Sequence, residues 1–171
     1  MDIFLNHQCD RALCRLADGD MGALEDIYNK MGRRIYMLAL SILRDAHSAE
    51  DIMQDTFVKL AAEARAYREG SNAIAFILTV TRNLSLNLLK KQRRESPAED
   101  VPDHVDLHDA PPLSALEALS LLDEQERQIV VLRLDCGMKH KQIAEIMGIS
   151  PEACQKRYRR ALERIKPYYE N

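Results

Sequence analysis

The 171-residue chain is long enough for one medium-sized domain or two small ones. Hydrophobic residues make up 46% and charged residues 30%, a balance that excludes a generally disordered chain. No apolar run approaches the roughly 20 residues that span a bilayer, and the first residues lack the pattern of a signal peptide, so we expect a cytoplasmic protein.

Residues 1–95 form an N-terminal block in which apolar residues recur at helical spacing. One stripe runs from Met31 to Leu43, a second from Ala49 to Leu60 and a third from Ile74 to Leu88. No part of this block shows the sustained alternation of apolar and polar residues that is typical of a strand. We therefore predict three or four packed helices and an all-α fold.

Polar residues predict one helix start and one loop within this block. Ser48 is placed to cap the second helix, with Asp51 three residues later in the acidic position of a capping box. Residues 67–72 (Tyr-Arg-Glu-Gly-Ser-Asn) separate the second stripe from the third, and Gly70 marks them as a loop. The block is thus predicted to consist of helices joined by short connections.

Residues 96–113 are predicted to be a linker. Four prolines fall between Ser96 and Pro112, and hydrophobic periodicity is weak there. The stretch 96–117 contains six acidic residues and neither Lys nor Arg, so the chain's net charge of −3 comes mainly from this segment. An extended tether is the simplest interpretation. A negative strand that occupies a groove meant for nucleic acid is an alternative that composition leaves open.

Residues 114–171 form a second helical block, which contains a helix-turn-helix pattern. Asp123 and Glu126 make a capping-box pattern ahead of an apolar helix. A short helix from Lys139 then ends at Gly148, which can adopt the positive φ of a helix C-terminus. Ser150 is a suitable N-cap for the next helix, and Pro151 suits its first position. The apolar faces of these two helices are predicted to comprise Ile143, Ala144, Met147, Cys154, Tyr158, Ala161, Leu162 and Ile165.

The helix that begins at Pro151 carries a basic face opposite its apolar one. Six Lys and Arg side chains lie between Gln155 and Lys166, against Glu163 alone. Helix-turn-helix proteins place this second helix in the major groove of DNA, where basic side chains contact phosphates and early residues reach base edges. A solvated basic face on an ordinary helical hairpin is the alternative, and the Gly-Ile-Ser-Pro turn between the two helices favours DNA binding.

These segments together resemble regions 2 and 4 of bacterial sigma factors, over about residues 19–94 and 114–166. Two such domains on a short linker resemble the extracytoplasmic-function (ECF) group. The resemblance is carried by Gly19-Asp20, Ile27–Asp45, Ala49–Phe57, Phe76–Leu84, Lys90–Arg94 and Leu119–Ile165, the last including Ile143–Ser150.

The resemblance implies a non-enzymatic protein that binds core RNA polymerase, directs it to promoter DNA and assists promoter opening. Members of this family are commonly held by an anti-sigma protein. By family position, the polymerase-binding residues are Asp51, Gln54, Asp55 and Phe57, and the alternative from the residues alone is that Phe57 belongs to the core and the acidic side chains are solvated. The residues for the −10 element are Arg68, Ser71, Asn72, Arg82, Asn83, Lys90 and Lys91. The residues for the −35 element are Gln155, Lys156, Arg157, Arg159 and Arg160.

The chain departs from the family pattern at three positions. Phe76 stands where the family commonly has Trp, and Asn87 replaces a common Asp. Lys139 occupies a position that Ser or Thr usually fills, so the first helix of the turn motif is less well capped. None of these exchanges removes a basic DNA contact, and they bear mainly on promoter preference.

Two other classes of function remain as alternatives. A stand-alone helix-turn-helix regulator would usually bind paired half-sites as a dimer. An enzyme or metalloprotein finds little support, because no nucleophile, phosphate loop or metal-ligand cluster accompanies the scattered histidines, and the cysteines suggest reduced thiols. We therefore expect no catalytic site, no metal and no cofactor. The residues concerned are His7, His47, His104, His108 and His140, with Cys9, Cys14, Cys136 and Cys154.

Overall fold

A computed structural model describes residues 3–95 and 113–168, and this part of the chain is helical without strands. The N-terminal helices are α1 (Ile3–Ala17), α2 (Ala23–Leu43), α3 (Ala46–Glu63) and α4 (Ala73–Glu95), with a 3-10 turn at Ala64–Ala66. The C-terminal helices are α5 (Leu113–Ser120), α6 (Glu124–Leu134), α7 (His140–Met147) and α8 (Pro151–Ile165), followed by a 3-10 turn at Lys166–Tyr168. The predicted linker lies outside the described residues except for Leu113, where α5 begins.

Helix α2 lies at the centre of the N-terminal bundle and contacts α1, α3 and α4. Its predicted stripe is confirmed, since Met31, Ile35 and Leu38 are completely buried. Each such side chain contributes about 1.5–3 kcal/mol through its removal from water. The predicted stripes on α3 and α4 also face this core, where Ile52 and Ile77 are buried. The all-α bundle is therefore confirmed.

Helix α1 is the fourth helix of this block, and its apolar stripe is one that we did not predict. Its residues Cys9, Ala12, Leu13 and Leu16 are buried against the bundle. They follow the i, i+3, i+4, i+7 spacing of an amphipathic helix. That spacing was the signal available in the sequence.

The prediction that Ser48 caps α3 is wrong. The helix begins at Ala46, three residues before the start that a Ser48 cap implies, and the carboxylate of Asp45 accepts a hydrogen bond from the Ser48 backbone N–H at 2.7 Å. Arg44 ends α2 in the left-handed conformation with φ 57°, so the chain reverses within two residues. Asp45 follows Arg44 with an extended backbone and directly precedes α3, so its carboxylate reaches the free N–H groups at the start of that helix.

The predicted caps of the C-terminal helices are confirmed. Asp123 and Glu126 form the reciprocal capping box of α6, with hydrogen bonds of 2.8 and 3.2 Å. Gly148 ends α7 with φ 66°, and the Ser150 hydroxyl accepts from the Ala153 backbone N–H at 3.1 Å. Lys139 precedes α7 rather than opening it, and its N–H donates to the Gln142 side chain at 3.0 Å.

The two blocks pack on each other, with α6 against α2 and α7 against α4. One apolar cluster therefore runs through both blocks and includes Ile129 and Leu132 of α6. Arg127 is 9% exposed at this interface and donates to the backbone carbonyls of Ser41 and Leu122 at 3.0 and 2.6 Å. Ser41 lies in the last turn of α2, where the helix dipole favours a cation.

Candidate nucleic-acid and protein-binding surfaces

The helix-turn-helix is held together by the buried face of α8. Cys154 and Ala161 are completely buried, and Ile165 is nearly so. The ring of Tyr158 packs against that of His140 on α7, with centroids 5.0 Å apart. Burial, and then the charge of Arg133, lower the pKa of His140. This packing fixes the orientation of α8 and turns its opposite face outward.

Three of the five residues predicted for the −35 element lie openly on that outer face. Gln155, Lys156 and Arg159 are exposed near the N-terminal half of α8. One amide and two cationic groups can together contact phosphates and base edges. The helix thus presents the side-chain types that major-groove recognition uses, near the end that was predicted to enter the groove.

The other two predicted residues face α6. Arg160 donates from Nε to Oε1 of Glu126 at 2.6 Å and lies 3.6 Å from Asp123, and these contacts raise its pKa. Arg164 donates to the other oxygen of Glu126 at 2.8 Å. Glu126 is completely buried, so the two guanidinium groups neutralise a carboxylate that water does not reach. Arg157 lies beside them, half-buried.

This arrangement gives Arg160 a structural role in addition to the predicted contact with DNA. The capping box identified Glu126 from its spacing to Asp123, but no sequence signal linked it to side chains more than 30 positions later. A buried carboxylate with two arginine partners depends on how α6 and α8 pack. This ion-pair cluster could therefore not be predicted from residue spacing.

The loop predicted at residues 67–72 is present between the 3-10 turn and α4. Gly70 has φ 76°, which other residues rarely adopt. Arg68 and Ser71 are exposed, whereas Asn72 caps α4 through Oδ1, which accepts from the Ala75 N–H at 3.1 Å. The Asn72 amide nitrogen is not used by this cap. The loop thus presents polar side chains on a fixed backbone.

The predicted −10 residues on α4 are divided by the interface between the blocks. Asn83, Lys90 and Lys91 are exposed. Arg82 is instead half-buried, and its Nε donates to Oε1 of Gln128 on α6 at 2.8 Å. Burial lowers the pKa of Arg82. The structure therefore brings Arg82 beneath α6 and α7, apart from the other three.

The predicted polymerase-binding residues lie on α3. Asp51, Gln54 and Asp55 are exposed and occupy one helical face at i, i+3 and i+4 spacing. Val58 extends this face by one turn and is 69% exposed, a feature that sequence analysis did not single out. Phe57 is half-buried on a neighbouring face, where its ring packs against Tyr28 of α2 at 5.5 Å.

Metal-ligating and thiol groups offer no further site within residues 3–95 and 113–168. This part of the chain brings together no cluster of three or more metal-ligating side chains, and none of its helices could span a membrane. The four cysteines are free thiols. Burial raises the pKa of Cys9 to about 11 and that of Cys136 to about 12, so both are protonated near neutral pH.

Comparisons with known proteins find two family models that match the chain. The family model for Sigma-70 region 2 matches residues 27–95, and that for Sigma-70, region 4 matches residues 113–165. The chain is 30% identical over 164 residues to the RNA polymerase sigma factor CarQ of Myxococcus xanthus, covering 89% of this chain and 92% of that protein.

A second relative and a solved structure extend the similarity. The ECF RNA polymerase sigma factor SigE of Mycolicibacterium smegmatis is 25% identical over 167 residues, which cover 89% of this chain and 65% of that protein. The sigma factor RpoE from Bartonella quintana, solved in complex with the anti-sigma factor NepR, superposes with a TM-score of 0.73 at 25% identity. That match covers 85% of this chain and 96% of the other.

Proposed function

The chain belongs to the extracytoplasmic-function group of bacterial RNA polymerase sigma factors, and we propose how its surfaces divide the work of transcription initiation. It binds core RNA polymerase, directs the enzyme to promoters and assists their opening. We assign promoter opening and polymerase docking to residues 1–95, and −35 recognition to residues 114–171. The matched regions support the boundary between these two parts. Region 2 ends at Glu95, where α4 ends, and region 4 begins at Leu113, where α5 begins.

The single observation that carries the −35 assignment is the outer face of α8. A Ser150 cap and a buried seam with α7 hold that helix, and Gln155, Lys156 and Arg159 project from it. We assign base and phosphate contacts to these three side chains. Arg157 and Arg160 add contacts with the −35 element at the edge of this face, and the ion pair with Glu126 orients Arg160.

The −10 assignment rests on the loop at residues 67–72 and the adjacent face of α4. A single strand is held by basic side chains along its backbone and by a site that takes up an unstacked base. Arg68, Ser71 and the free amide of Asn72 form the loop side of this site. On α4, the exposed side chains of Asn83, Lys90 and Lys91 then contact the backbone of the same DNA strand.

The polymerase assignment rests on the exposed stripe of α3. Asp51, Gln54 and Asp55 supply acidic and amide groups, and Val58 adds an exposed apolar contact. A protein interface commonly combines such polar groups with an apolar centre. Phe57 adds to this interface the part of its ring that remains exposed beside Tyr28.

The closed arrangement, in which α6 and α7 cover Arg82, cannot be the arrangement on DNA if Arg82 contacts the −10 element. We therefore propose that the two blocks separate when the protein joins core polymerase. We also propose that an anti-sigma protein restrains this chain, as NepR binds the similar RpoE. The site of action is the cytoplasm, and the protein acts as an initiation factor without catalysis of its own.

Reconstitution with core RNA polymerase tests this function. Full-length protein is mixed with core enzyme from the same bacterium, and run-off transcription is measured on promoters that the reconstituted enzyme selects from random DNA. Promoter-specific transcripts that require the added protein are expected. A tight dimer that binds paired half-sites and starts no transcription would instead identify a stand-alone regulator.

A further inference from the structure

Helix α1 lies outside the matched region 2, which begins at residue 27, yet it holds the loop at residues 67–72. Asp10 of α1 is only 9% exposed. Its Oδ1 accepts hydrogen bonds from the Gly70 backbone N–H at 2.8 Å and from the Tyr67 hydroxyl at 2.5 Å. One carboxylate oxygen thus joins two points of the loop.

Asn6, one turn before Asp10, holds the other end of the loop. Its Oδ1 accepts a hydrogen bond from the Ile74 backbone N–H at 3.2 Å, and its Nδ2 donates to the Ser71 carbonyl oxygen at 3.5 Å. Ile74 belongs to α4, so the side chains of α1 contact both the loop and its junction with α4.

The chemistry of these bonds suits a loop that must keep one shape. Gly70 has a left-handed backbone, with φ 76°, and bonds to an ionised acceptor are stronger than bonds between neutral groups. Burial and the bond to Asp10 raise the pKa of Tyr67, which keeps its hydroxyl proton as the donor. The Tyr67 ring packs against Phe76 at 5.2 Å, so the network also connects to α4.

We propose that Asp10, assisted by Asn6, is a positioning residue that fixes the loop at residues 67–72 in the shape that takes up an unstacked promoter base. This inference rests on the proposed function of that loop. Asp10 itself is buried behind the loop and does not touch DNA. Its effect is to prepare the loop before DNA arrives, which lowers the ordering cost of binding.

A binding measurement with single-stranded DNA tests the proposal. The full chain, assembled with core polymerase, binds a labelled oligonucleotide that carries the selected −10 element. The same oligonucleotide is then made abasic at each position in turn. The variants are Asp10→Ala, Asp10→Asn and Tyr67→Phe, with Asp18→Ala as the matched control, because Asp18 is an exposed carboxylate just after α1.

Asp10→Ala is expected to weaken binding of the intact oligonucleotide about tenfold, the loss typical of removing hydrogen bonds to a charged group. That loss should vanish on the oligonucleotide that lacks the captured base, because the loop then has nothing to take up. Asp10→Asn keeps an oxygen that can accept both bonds and should retain most of the affinity. Asp18→Ala should bind like the unmodified protein.

Tyr67→Phe keeps the ring and removes only the hydroxyl, so it tests the same network if Asp10→Ala does not fold. Its loss should again depend on the captured base. Equal weakening of the intact and abasic oligonucleotides by a folded variant would overturn the proposal, since it indicates a general loss of structure. An unchanged affinity in a folded Asp10→Ala protein would overturn it as well.

Arg68→Ala separates the failure of this inference from failure of the loop's proposed function. If Arg68→Ala weakens binding and Asp10→Ala does not, the loop binds DNA and only the positioning role is refuted. If no abasic position changes the affinity of the unmodified protein and Arg68→Ala has no effect, the loop does not bind the −10 element. Both proposals are then overturned.

Discussion

Arg82 of α4 donates from Nε to Oε1 of Gln128 on α6 at 2.8 Å, and Gln128 is completely buried. This hydrogen bond crosses the interface between the two blocks. It involves a side chain that was predicted to contact the −10 element, and the Arg82 Nη1 also approaches the Ile146 carbonyl oxygen of α7 at 3.5 Å. The same side chain is therefore either an internal contact of the closed arrangement or a contact to DNA.

Replacing Gln128 with Ala should favour the open arrangement. The substitution leaves the half-buried Arg82 without its side-chain acceptor, which costs about 1–3 kcal/mol. The free protein should then bind single-stranded −10 DNA about tenfold more tightly, since about 1.4 kcal/mol corresponds to a factor of ten. Fluorescence anisotropy with a labelled oligonucleotide at low salt measures this change.

Gln125→Ala is the matched control, because Gln125 is an exposed glutamine on the same helix. It should leave the affinity of the free protein unchanged. An equal or lower affinity for Gln128→Ala, in a variant that still folds, would show that the closed arrangement does not restrict access to DNA.

The arginines that meet Glu126 should support folding as well as DNA binding. Replacing both Arg160 and Arg164 with Ala leaves a completely buried carboxylate without its guanidinium partners. The melting temperature should fall clearly, and calorimetry measures it. Arg159→Ala, at an exposed position of the same helix, should melt like the unmodified protein. Equal melting of both variants would mean that the ion pairs contribute nothing to stability.

Lys156 and Arg159 should act on DNA without this structural effect, because both are exposed. Each Ala substitution should lower affinity for the −35 element. It should also reduce the slope of log affinity against log salt by about one for each phosphate that is no longer neutralised. Titration of a −35 duplex with reconstituted polymerase over a range of salt concentrations gives the slope. A slope that does not change would place these side chains away from the DNA backbone.

Acidification should weaken the seam between α7 and α8. Burial and Arg133 lower the pKa of His140, so the unfolded chain takes up this proton at a higher pH than the folded protein does. The contribution of His140 to the free energy of unfolding is therefore fully present above the ordinary histidine pKa of about 6.5. It declines as the pH falls through and below that value. His140→Gln should show a smaller loss of melting temperature between about pH 7.5 and about pH 5.5 than the unmodified protein.

The exposed His7 supplies the control for this experiment. His7→Gln should keep the full pH dependence of the melting temperature. If His140→Gln keeps it too, the acid sensitivity arises elsewhere in the chain.

Local sequence patterns predicted the parts of the structure that depend on neighbouring residues. The stripe on α2, the capping box at Asp123, the turn at Gly148 and the cap at Ser150 are all confirmed. In each case the residues that interact are at most a few helical turns apart, so spacing alone contains the information.

The misses have physical causes that spacing does not encode. Ser48 and Asp45 are both able to cap α3, and the sharp reversal at Arg44 decides between them. Arg127 contacts the carbonyl of Ser41, 86 residues away, and its position depends on how α6 packs on α2. Arg82 is a similar case: its position on the basic face of α4 was predicted, but its packing beneath α6 was not. Long-range packing is therefore what the sequence patterns left undetermined.

The most direct test of the proposed division of labour measures core binding and transcription on the same variants. Lys156→Ala/Arg159→Ala should lose most −35-dependent run-off transcription while binding core polymerase normally. Asp51→Ala/Asp55→Ala, in the exposed stripe of α3, should bind core polymerase more weakly. Loss of both core binding and transcription in the folded Lys156→Ala/Arg159→Ala protein would contradict the assignment of separate roles to the two domains.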